Sequence, residues 1–530
     1  MTARFFSLNL FPLLFLFLVA GAVLAAPVDN AWQPKKKKII ELSWSNPDVD
    51  YLVANVRRME AEAPLDGITI RLYGRTRQVD GKDYIPGTPT AFGREPWQAD
   101  DFADAVAKLK TVTFTRFTDN FLQATVRPGD VDWFRDSDWD AVAGHFAILA
   151  RIARETGLRG IVFDPEEYAR RFWDHARLET DQDFATTAAV ARRRGRQWGE
   201  AIFREYPDIV LFCLHLFTLG HPETSLTSAF FNGMLDVLPP TATVVEGHEN
   251  GGYRAKNAAD IDAARLDKDW NALPRVAAEN VAKYRLQVQL ALAFYVDAIF
   301  IQDNSWHQIL GPEADRDPAG FLRRQLNRAL DVSDEYVWLW SEKCSWWSQS
   351  IRPSITQTWE DIQPGALAAV TIARQPENFD FAAANLLPNP RLKDNGEPWM
   401  FWQTGKPEVK PGRDLRADGL LQLAGVNEGC FHQNLPVEPG ATYILKVTGR
   451  YETPTHGFAA AVVTYQNSQG AWEHNHQQTV SLPKSKVGEW VTAIRVFRAP
   501  AGVATMSFQL AGTCLGDGIA AFKEAYLARY

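Results

Sequence analysis

Alternation between apolar strand-like runs and amphipathic helical segments dominates the chain from about residue 35 to residue 375. Eight strands that alternate with helices over this length predict a (β/α)8 barrel. A doubly wound open sheet is the alternative, but it usually has a glycine-rich phosphate loop after its first strand, and residues 43–47 (SWSNP) are not one. The predicted strands are Ile39–Trp44, Gly67–Leu72, Val112–Phe117, Leu158–Phe163, Ile209–Leu216, Thr243–Gly247, Ala298–Gln302 and Tyr336–Trp340.

A second pattern begins after about residue 385 and continues to residue 530. Short alternating strands follow one another with Gly and Pro turns between them, and no long helical pattern occurs. This predicts an all-β sandwich at 385–530, after a barrel at 35–375. The boundary is expected within Arg374–Ala384.

The first 25 residues have the features of an export signal. Arg4 precedes an apolar run from Phe5 to Val23, and small residues at Val23 and Ala25 fit cleavage after Ala25. An uncleaved anchor is the alternative, because the run is close to the ~20 residues that span a bilayer. We predict a secreted or periplasmic protein without a membrane partner after cleavage. The net charge of -8 argues against nucleic acid as a partner.

Four cysteines are present, too few for a disulfide scaffold and without a CxxC metal pattern. Cys213 and Cys344 lie in hydrophobic runs, which favours buried thiols. Cys430 and Cys514 both belong to the predicted sandwich. An exported chain permits a bridge, so we predict a disulfide between them.

Catalytic groups of barrels lie at the C-terminal ends of the strands. Carboxylates and aromatic residues recur at these predicted positions, which is typical of a glycoside hydrolase cleft, where two carboxylates flank the scissile bond. The candidates are Trp44 after the first strand, Arg116 and Asp119 after the third, Asp164, Glu166 and Tyr168 after the fourth, Glu246, His248 and Tyr253 after the sixth, Asp303 after the seventh, and Trp340 and Glu342 at the eighth.

We predict that Glu166 is the general acid and that Asp164, two residues earlier on the same face, tunes its pKa. Pairing of these carboxylates with Arg170 or Arg171 is the structural alternative. Glu246 is the best candidate for base or nucleophile, with Asp303 behind it and Glu342 as a further carboxylate. The predicted substrate-binding residues of the barrel are Tyr168, Asp119, Arg116, His248, Trp340, Trp44 and Tyr253.

Other barrel chemistries lack their residues. The first strand has no His-x-His pair, so a catalytic metal is not predicted. A Gly-x-Ser-x-Gly nucleophile elbow is absent, and no strand has a lysine in its interior for a Schiff base.

Two regions of the chain resemble known families, and the first is the predicted sandwich. Residues 385–390 (NLLPNP), 433–440 (QNLPVEPG) with Tyr443, and 488–490 (GEW) resemble jelly-roll carbohydrate-binding modules over about the last 145 residues. The resemblance implies a glycan-binding groove, for which Trp399, Trp402, Tyr465 and Trp472 are candidates. It also implies a structural calcium, but residues 391–393 (RLK) and 523–524 (KE) replace the acidic positions, so no cofactor is predicted.

Residues 160–166 (GIVFDPE) resemble the fourth-strand motif of chitinase-type barrels, in which an Asp two residues before the Glu assists the acid. The chain as a whole resembles a secreted glycoside hydrolase with an appended carbohydrate-binding module. We predict hydrolysis of a polysaccharide or oligosaccharide. The alternatives are a non-catalytic glycan-binding barrel and a polysaccharide lyase.

Overall fold

The computed structural model describes residues 37–168, 171–221, 223–404, 413–453, 457–514 and 517–530. The predicted signal peptide at 1–25 lies outside these residues. The chain divides into two compact units, and their boundary lies between Phe379 and Asp380. Within the described ranges, no helix has both the length and the apolar character needed to cross a membrane.

The first unit contains a parallel sheet that nearly closes into a barrel, as the alternating pattern predicts. Its sheet order is β8-β9-β1-β2-β3-β4-β5-β6-β7. The two ends, β7 and β8, are consecutive segments separated only by Ala291. The strands are β1 (Lys38–Ser43), β2 (Gly67–Ile70), β3 (Phe121–Thr125), β4 (Gly160–Asp164), β5 (Val210–Cys213), β6 (Thr243–Glu246), β7 (Val288–Leu290), β8 (Leu292–Tyr295) and β9 (Tyr336–Ser341). A small hairpin pairs Arg77–Val79 with Lys82–Tyr84.

Two of the predicted strands are wrong. Residues 112–117 form no strand, because the amides of Thr115, Arg116 and Phe117 donate to the Glu60 carboxylate instead of a neighbouring strand. The third strand is β3, which starts at Phe121, four residues after the predicted strand ends. Residues 298–302 overlap the helix Val296–Phe300, and the seventh strand lies before it as β7 and β8.

Helices cover the outside of the barrel, and apolar side chains fill its interior. The α-helices are α1 (Val49–Glu62), α2 (Ala103–Leu109), α3 (Asp136–Glu155), α4 (Phe184–Glu205), α5 (Thr227–Asp236), α6 (Glu249–Tyr253), α7 (Ala258–Asp267), α8 (Val281–Gln287), α9 (Val296–Phe300), α10 (His307–Leu310), α11 (Pro312–Arg316), α12 (Pro318–Val332), α13 (Trp359–Ile362) and α14 (Ala366–Arg374). The interior includes Ile40, Val162, Phe212, Tyr336 and Trp338, so alternate residues of each strand face inward.

The second unit is the predicted β-sandwich, preceded by the short helix α15 (Phe381–Ala384). Its two antiparallel sheets have the orders β10-β13-β18-β15-β16 and β11-β12-β19-β14-β17. The strands are β10 (Met400–Thr404), β11 (Arg413–Ala417), β12 (Leu420–Ala424), β13 (Glu428–Pro436), β14 (Thr442–Tyr451), β15 (Ala459–Asn467), β16 (Gln478–Ser481), β17 (Val491–Arg498), β18 (Val503–Gly512) and β19 (Ile519–Arg529).

The predicted disulfide between Cys430 and Cys514 is wrong, and all four cysteines are free and buried. Cys514 belongs to the large apolar core of the sandwich. Cys430 packs instead in a small separate cluster with Ala460, Val462 and Ala511. Because the two thiols lie in different clusters, membership of the same sandwich does not bring them together.

Candidate functional site

Asp164, the last residue of β4, faces the barrel mouth. Val162 lies two residues earlier in the barrel interior, and side chains two apart on a strand share a face. The Oδ1 atom of Asp164 accepts a hydrogen bond from the Glu166 amide at 2.9 Å. Burial, together with the neighbouring Glu166 charge, raises the pKa of Asp164 to about 7.

Glu166 is held by two side chains at the same mouth. The Tyr168 hydroxyl donates to its Oε2 at 2.6 Å, and His215 Nε2 lies 3.7 Å from its Oε1. The contact with His215 lowers the pKa of Glu166, and Tyr168 acts in the same direction against the effect of burial. Of the two carboxyl groups, Asp164 therefore has the raised pKa and Glu166 the lowered one, which reverses the order that the sequence predicts.

Among the residues that the structure describes, Glu166 forms no ion pair with an arginine. Arg171 lies 3.6 Å from Glu167 instead, and Arg170 is outside the described residues. Glu167 also accepts from the Phe172 and Trp173 amides. It therefore points aside and holds its own loop.

His215, which follows β5, connects Glu166 to a second carboxylate. Its Nε2 lies 3.4 Å from Glu249 Oε2, at the start of α6. Burial alone would lower the pKa of His215, but Glu166 and Glu249 together outweigh it and raise the pKa to about 10. A charged imidazole thus lies between two carboxylates. Gly252 permits this position of α6, because a Cβ there would lie 1.8 Å from the Ala293 carbonyl oxygen of β8.

The same three side chains have the composition of a metal site. Glu166, His215 and Glu249 offer ligand atoms that all lie within 4.8 Å of one another. Imidazole and carboxylate ligands suit zinc and related divalent ions. A metal would have to displace the proton that His215 holds between the carboxylates. The ion-paired form gives partners to both carboxylates and to His215 Nε2, while the buried His215 Nδ1 has no hydrogen-bond partner among the described residues. Chelation distinguishes the two forms.

Aromatic rings line the mouth next to these charged groups. Tyr253, at the end of α6, lies 5.4 Å from Tyr295 and 6.0 Å from both Trp306 and Trp338, measured between ring centroids. Flat rings of this kind offer apolar faces with a polar edge. Tyr253 therefore belongs to an aromatic cluster at this end of the barrel, but it and Trp338 are both buried, so its predicted contact with substrate stays a prediction.

Glu342 and Trp340 lie together at the end of β9. The Trp340 indole donates to Glu342 Oε1 at 3.0 Å. The amides of Glu342 and Lys343 donate to the buried Asp297 carboxylate at 2.8 and 2.9 Å, which positions this turn. Asp303 is exposed in the turn after α9, because the seventh strand ends eight residues before it, so its predicted place at the end of that strand is wrong.

Glu246 does not face the mouth. Its neighbour Val245 points into the barrel, so Glu246 points outward on β6. Its oxygens accept from the amides of Leu216 and Phe217, both at 2.9 Å, and from the Thr218 hydroxyl at 3.0 Å. The structure therefore contradicts its predicted role as base or nucleophile and shows a buried anchor for the segment after His215.

His248, which is predicted to bind substrate, contacts another side chain of the protein instead. Its Nε2 lies 3.0 Å from Asp267 Oδ2, and the ring is buried. Its backbone has a φ of 35°, a left-handed conformation that turns the chain into α6. The position of His248 is that of a structural residue.

Arg116 and Asp119 lie at the opposite end of the barrel from the mouth, because they precede β3 instead of following a strand. Asp119 accepts from the Tyr336 hydroxyl at 3.0 Å and lies 3.5 Å from Lys38 and 3.8 Å from Arg159. These partners all lie at strand starts. The predicted substrate contacts of Arg116 and Asp119 are therefore wrong.

Trp44 follows β1 at the mouth and is 40% exposed. Arg352 and Lys343 lie over its ring, at 5.2 and 5.8 Å from the centroid. Trp44 is thus placed at the predicted rim, but it packs with cations.

A groove of about 370 Å³ lies on the sheet β10-β13-β18-β15-β16 of the sandwich. Trp402 and Trp472 line it and are 50% and 46% exposed. Trp399 and Tyr465 are buried in the core instead, so they are not available to a ligand. The other lining residues are mostly polar and uncharged and include His432, Asn434, Thr464, Gln477, Ser507 and Gln509.

Sequence analysis missed His215 and Glu249 as functional residues. His215 was visible as one of two histidines at strand ends, but nothing in the sequence shows that it meets two carboxylates. Glu249 lies three residues after Glu246, beyond the end of β6, so strand position does not predict its place. Only the turn at His248 brings Glu249 back over the mouth.

No family model matches the chain, and no curated protein matches it. The solved structures that resemble it include the enzymatically active domain of a bacteriophage CBA120 tailspike (17% identity, 28% of this chain and 22% of that chain, TM-score 0.22). A family 16 carbohydrate-binding module matches at 14% identity, 27% of this chain and all of the module, with TM-score 0.21.

The CBM22-1 and GH10 modules of a Clostridium thermocellum endo-1,4-β-D-xylanase match at 11% identity, 25% of each chain and TM-score 0.17. An α-L-arabinofuranosidase bound to arabinose matches at 13% identity, 27% of this chain, 26% of that chain and TM-score 0.21. Likenesses at this level carry no weight for function, and the conclusions below depend on the geometry of the two sites.

Proposed function

We propose that this chain is an exported glycoside hydrolase that acts on a polysaccharide or oligosaccharide. The observation that carries the proposal is the cluster of Asp164, Glu166, Tyr168, His215 and Glu249 at the C-terminal mouth of the barrel beside an aromatic wall. Barrel enzymes place their catalytic groups there, and glycosidic hydrolysis needs coupled carboxylates. The proposed export depends on the sequence of the first 25 residues alone.

Proton delivery is the first chemical task of this cluster. Asp164 and Glu166 are close enough to titrate as a pair, with one proton that resides on Asp164 in the free protein. Tyr168 contacts both carboxylates and connects them. A sugar bound at the mouth displaces water from Glu166 and so favours its protonation. Glu166 then donates the proton to the leaving glycosidic oxygen, while Asp164 takes the negative charge.

Support for the positive charge that develops on the sugar is the second task. Glu249 is the carboxylate nearest to Glu166 across His215, and their ligand oxygens lie within 4.8 Å. Retaining enzymes use the second carboxylate as a nucleophile, and inverting enzymes use it as a base. We therefore assign Glu249 to this task as nucleophile or base.

The sandwich groove has the complementary task of holding the polymer. Two half-exposed Trp rings above amide and hydroxyl side chains suit an uncharged sugar face. A binding module on the same chain raises the local concentration of substrate at the enzyme. We therefore include glycan binding by Trp402 and Trp472 in the proposed function.

One observation favours a second candidate, a barrel that binds glycan without cleaving it. The His215 cation neutralises Glu166 in the free protein, and an acid with a lowered pKa donates poorly. Kinetics with Glu166→Gln decide between the two. The full chain is first tested on a panel of polysaccharides, and then on matched glycosides with poor and activated aryl leaving groups.

Hydrolysis requires that Glu166→Gln lowers kcat/KM by about 10²–10⁴-fold on substrates with poor leaving groups and much less on activated aryl glycosides, which need little protonation. Glu200→Gln, on the exposed face of α4, is the matched control and should retain full activity. Equal losses on both substrate types would show that Glu166 is not the acid. Binding without any turnover by the full chain would establish the second candidate.

A further inference from the structure

Three cationic side chains gather at the barrel mouth around Trp44. Arg71 directly follows β2, Lys343 follows β9 after one intervening residue, and Arg352 belongs to the segment after it. They therefore share the C-terminal end of the barrel with the catalytic cluster. Strands β1 and β5 are four positions apart around the sheet, so Trp44 lies across the mouth from His215.

Backbone contacts hold the two arginines next to each other. Arg71 Nη2 donates to the Trp44 carbonyl at 2.7 Å and to the Asn46 carbonyl at 2.6 Å. Arg352 Nε donates to the same Trp44 carbonyl at 2.7 Å. The Trp44 ring supports the cations from below, with the Arg352 guanidinium 5.2 Å and the Lys343 ammonium 5.8 Å from its centroid.

These positive charges are not balanced by nearby acids. Within the described ranges, no carboxylate oxygen lies within 4.0 Å of a side-chain nitrogen of Arg71, Lys343 or Arg352, whereas Arg151 and Arg192 pair with acids. Burial and repulsion from Arg71 lower the pKa of Arg352. Two guanidinium groups that converge on one carbonyl without a counter-charge leave a site with excess positive potential.

The acidic groups around this cluster are engaged or uncharged. Glu342 accepts from the Trp340 indole, and Asp297 accepts from the Lys343 amide. Glu41 interacts electrostatically with Arg71, but it is fully buried. Its burial raises its pKa to about 8, so it is largely neutral at pH 7. The cations therefore remain available to a ligand.

We propose that Arg71, Lys343 and Arg352 form a subsite for the anionic substituent, a carboxylate or a sulfate ester, of a sugar bound across the barrel mouth. The proposal rests on the proposed function, since it names the substrate class of the same mouth. A guanidinium presents paired N–H donors that match the oxygens of both anions. Arg352 donates to the Trp44 carbonyl through its Nε, and the residue is exposed, so its Nη groups are accessible to a ligand.

Net charge makes such a subsite necessary for a polyanionic substrate. The chain has a formal net charge of -8, and its catalytic carboxylates add negative potential at the mouth. A polyanion is repelled by this field unless local cations compensate it. A local cationic cluster on one side of the mouth and carboxylates on the other would also orient the substrate with its charged ring over Trp44.

Calorimetric binding to the full chain with Glu166→Gln, which leaves the bound sugar intact, tests the subsite. The probes are tetragalacturonate, a sulfated galactan tetrasaccharide and neutral galactotetraose. We expect at least one anionic probe to bind about tenfold more tightly than the neutral one at low salt, and about 0.5 M salt to remove the difference. The two anionic probes distinguish carboxylate from sulfate recognition.

The added double change Lys343→Gln and Arg352→Gln should remove this preference and leave neutral binding unchanged. The matched control, Arg204→Gln with Arg285→Gln, removes two exposed positive charges from α4 and α8 and should keep the preference. Equal binding of anionic and neutral probes, or anionic binding that survives the double change, overturns the proposal. Hydrolysis by the unmodified chain is measured separately, so an anion-binding mouth without turnover would refute the proposed function and leave the subsite intact.

Discussion

The barrel mouth and the sandwich groove are two candidate ligand sites that differ in their charge and exposure. At the mouth, Glu166 and Glu249 lie on either side of the His215 imidazole, and burial raises the pKa of the neighbouring Asp164. In the groove, Trp402 and Trp472 stand half exposed above neutral amides and hydroxyls. Coupled charges in a buried place suit bond breaking, whereas exposed rings supply contact area without altering the ligand.

The largest expected effect comes from a change at the mouth that should leave the groove unaffected. Asp164→Asn removes the proton that the pair shares, so kcat should fall by about 10²–10⁴-fold while polymer binding by the groove is unchanged. In the unmodified chain, activity should decline as pH rises through about 7, where Asp164 loses its proton. Kinetics across pH check both, and an unchanged rate in the Asn variant would show that Asp164 does not take part.

Thermal unfolding gives a second measurement on the same variant. The folded-state pKa of Asp164 is raised, so the native state binds this proton more tightly than the unfolded chain, and stability falls as pH rises from about 4 to about 7. Asp164→Asn removes that cost. We expect the Asn variant to have a Tm at pH 8 at least equal to that of the unmodified chain, and a lower Tm would contradict the assigned protonation state.

The next effect separates the sites from the groove side. Trp402→Ala and Trp472→Ala should each weaken binding to an insoluble polysaccharide by roughly tenfold, because each removes one stacking face. Turnover of short soluble substrates at the mouth should not change. Pull-down isotherms and kinetics are compared with Trp490→Ala, which changes a tryptophan outside the groove lining. Loss of turnover on short substrates would show that the two sites do not act separately.

A smaller effect distinguishes a carboxylate beside the mouth from one within it. Glu246→Gln weakens the bonds to the Leu216 and Phe217 amides and should lower the free energy of unfolding by about 1–3 kcal/mol. The kcat of the folded protein should be retained, because this side chain points away from the mouth. Denaturant titration and active-site-normalised kinetics check this, and a loss of kcat comparable to that of Asp164→Asn would return Glu246 to the catalytic set.

The smallest expected effect is that of a chelator. If His215 carries a proton between Glu166 and Glu249, then prolonged dialysis against EDTA should leave activity and Tm unchanged. Activity that is lost on dialysis and restored by one divalent ion would identify the three residues as metal ligands. The mouth would then owe its chemistry to a bound ion, unlike the groove.

Local pattern was sufficient for much of the fold. The barrel and the sandwich were predictable because strand and helix periods differ and because the change of pattern near residue 380 is abrupt. The shared face of Asp164 and Val162 follows from the two-residue period of β4. Exposure of Trp472 was also predictable, since it lies in a polar segment between strands.

Tertiary structure decided what those patterns leave open. Residues 112–117 have strand-like alternation, but the Glu60 carboxylate on α1 takes their amides, and this moves Asp119 from the mouth to the opposite end. Neighbouring side chains on a strand face opposite sides, so Val245 faces the barrel interior and Glu246 does not.

The residue types available to the mouth, and most of the strands that carry them, can be read from the sequence alone. The meeting of His215 with Glu166 and Glu249, the gathering of Arg71 and Arg352 at Trp44, and the separation of Cys430 from Cys514 are set by contacts between distant segments. Charge coupling and thiol pairing depend on distances of a few ångströms, and only the packed chain defines those distances.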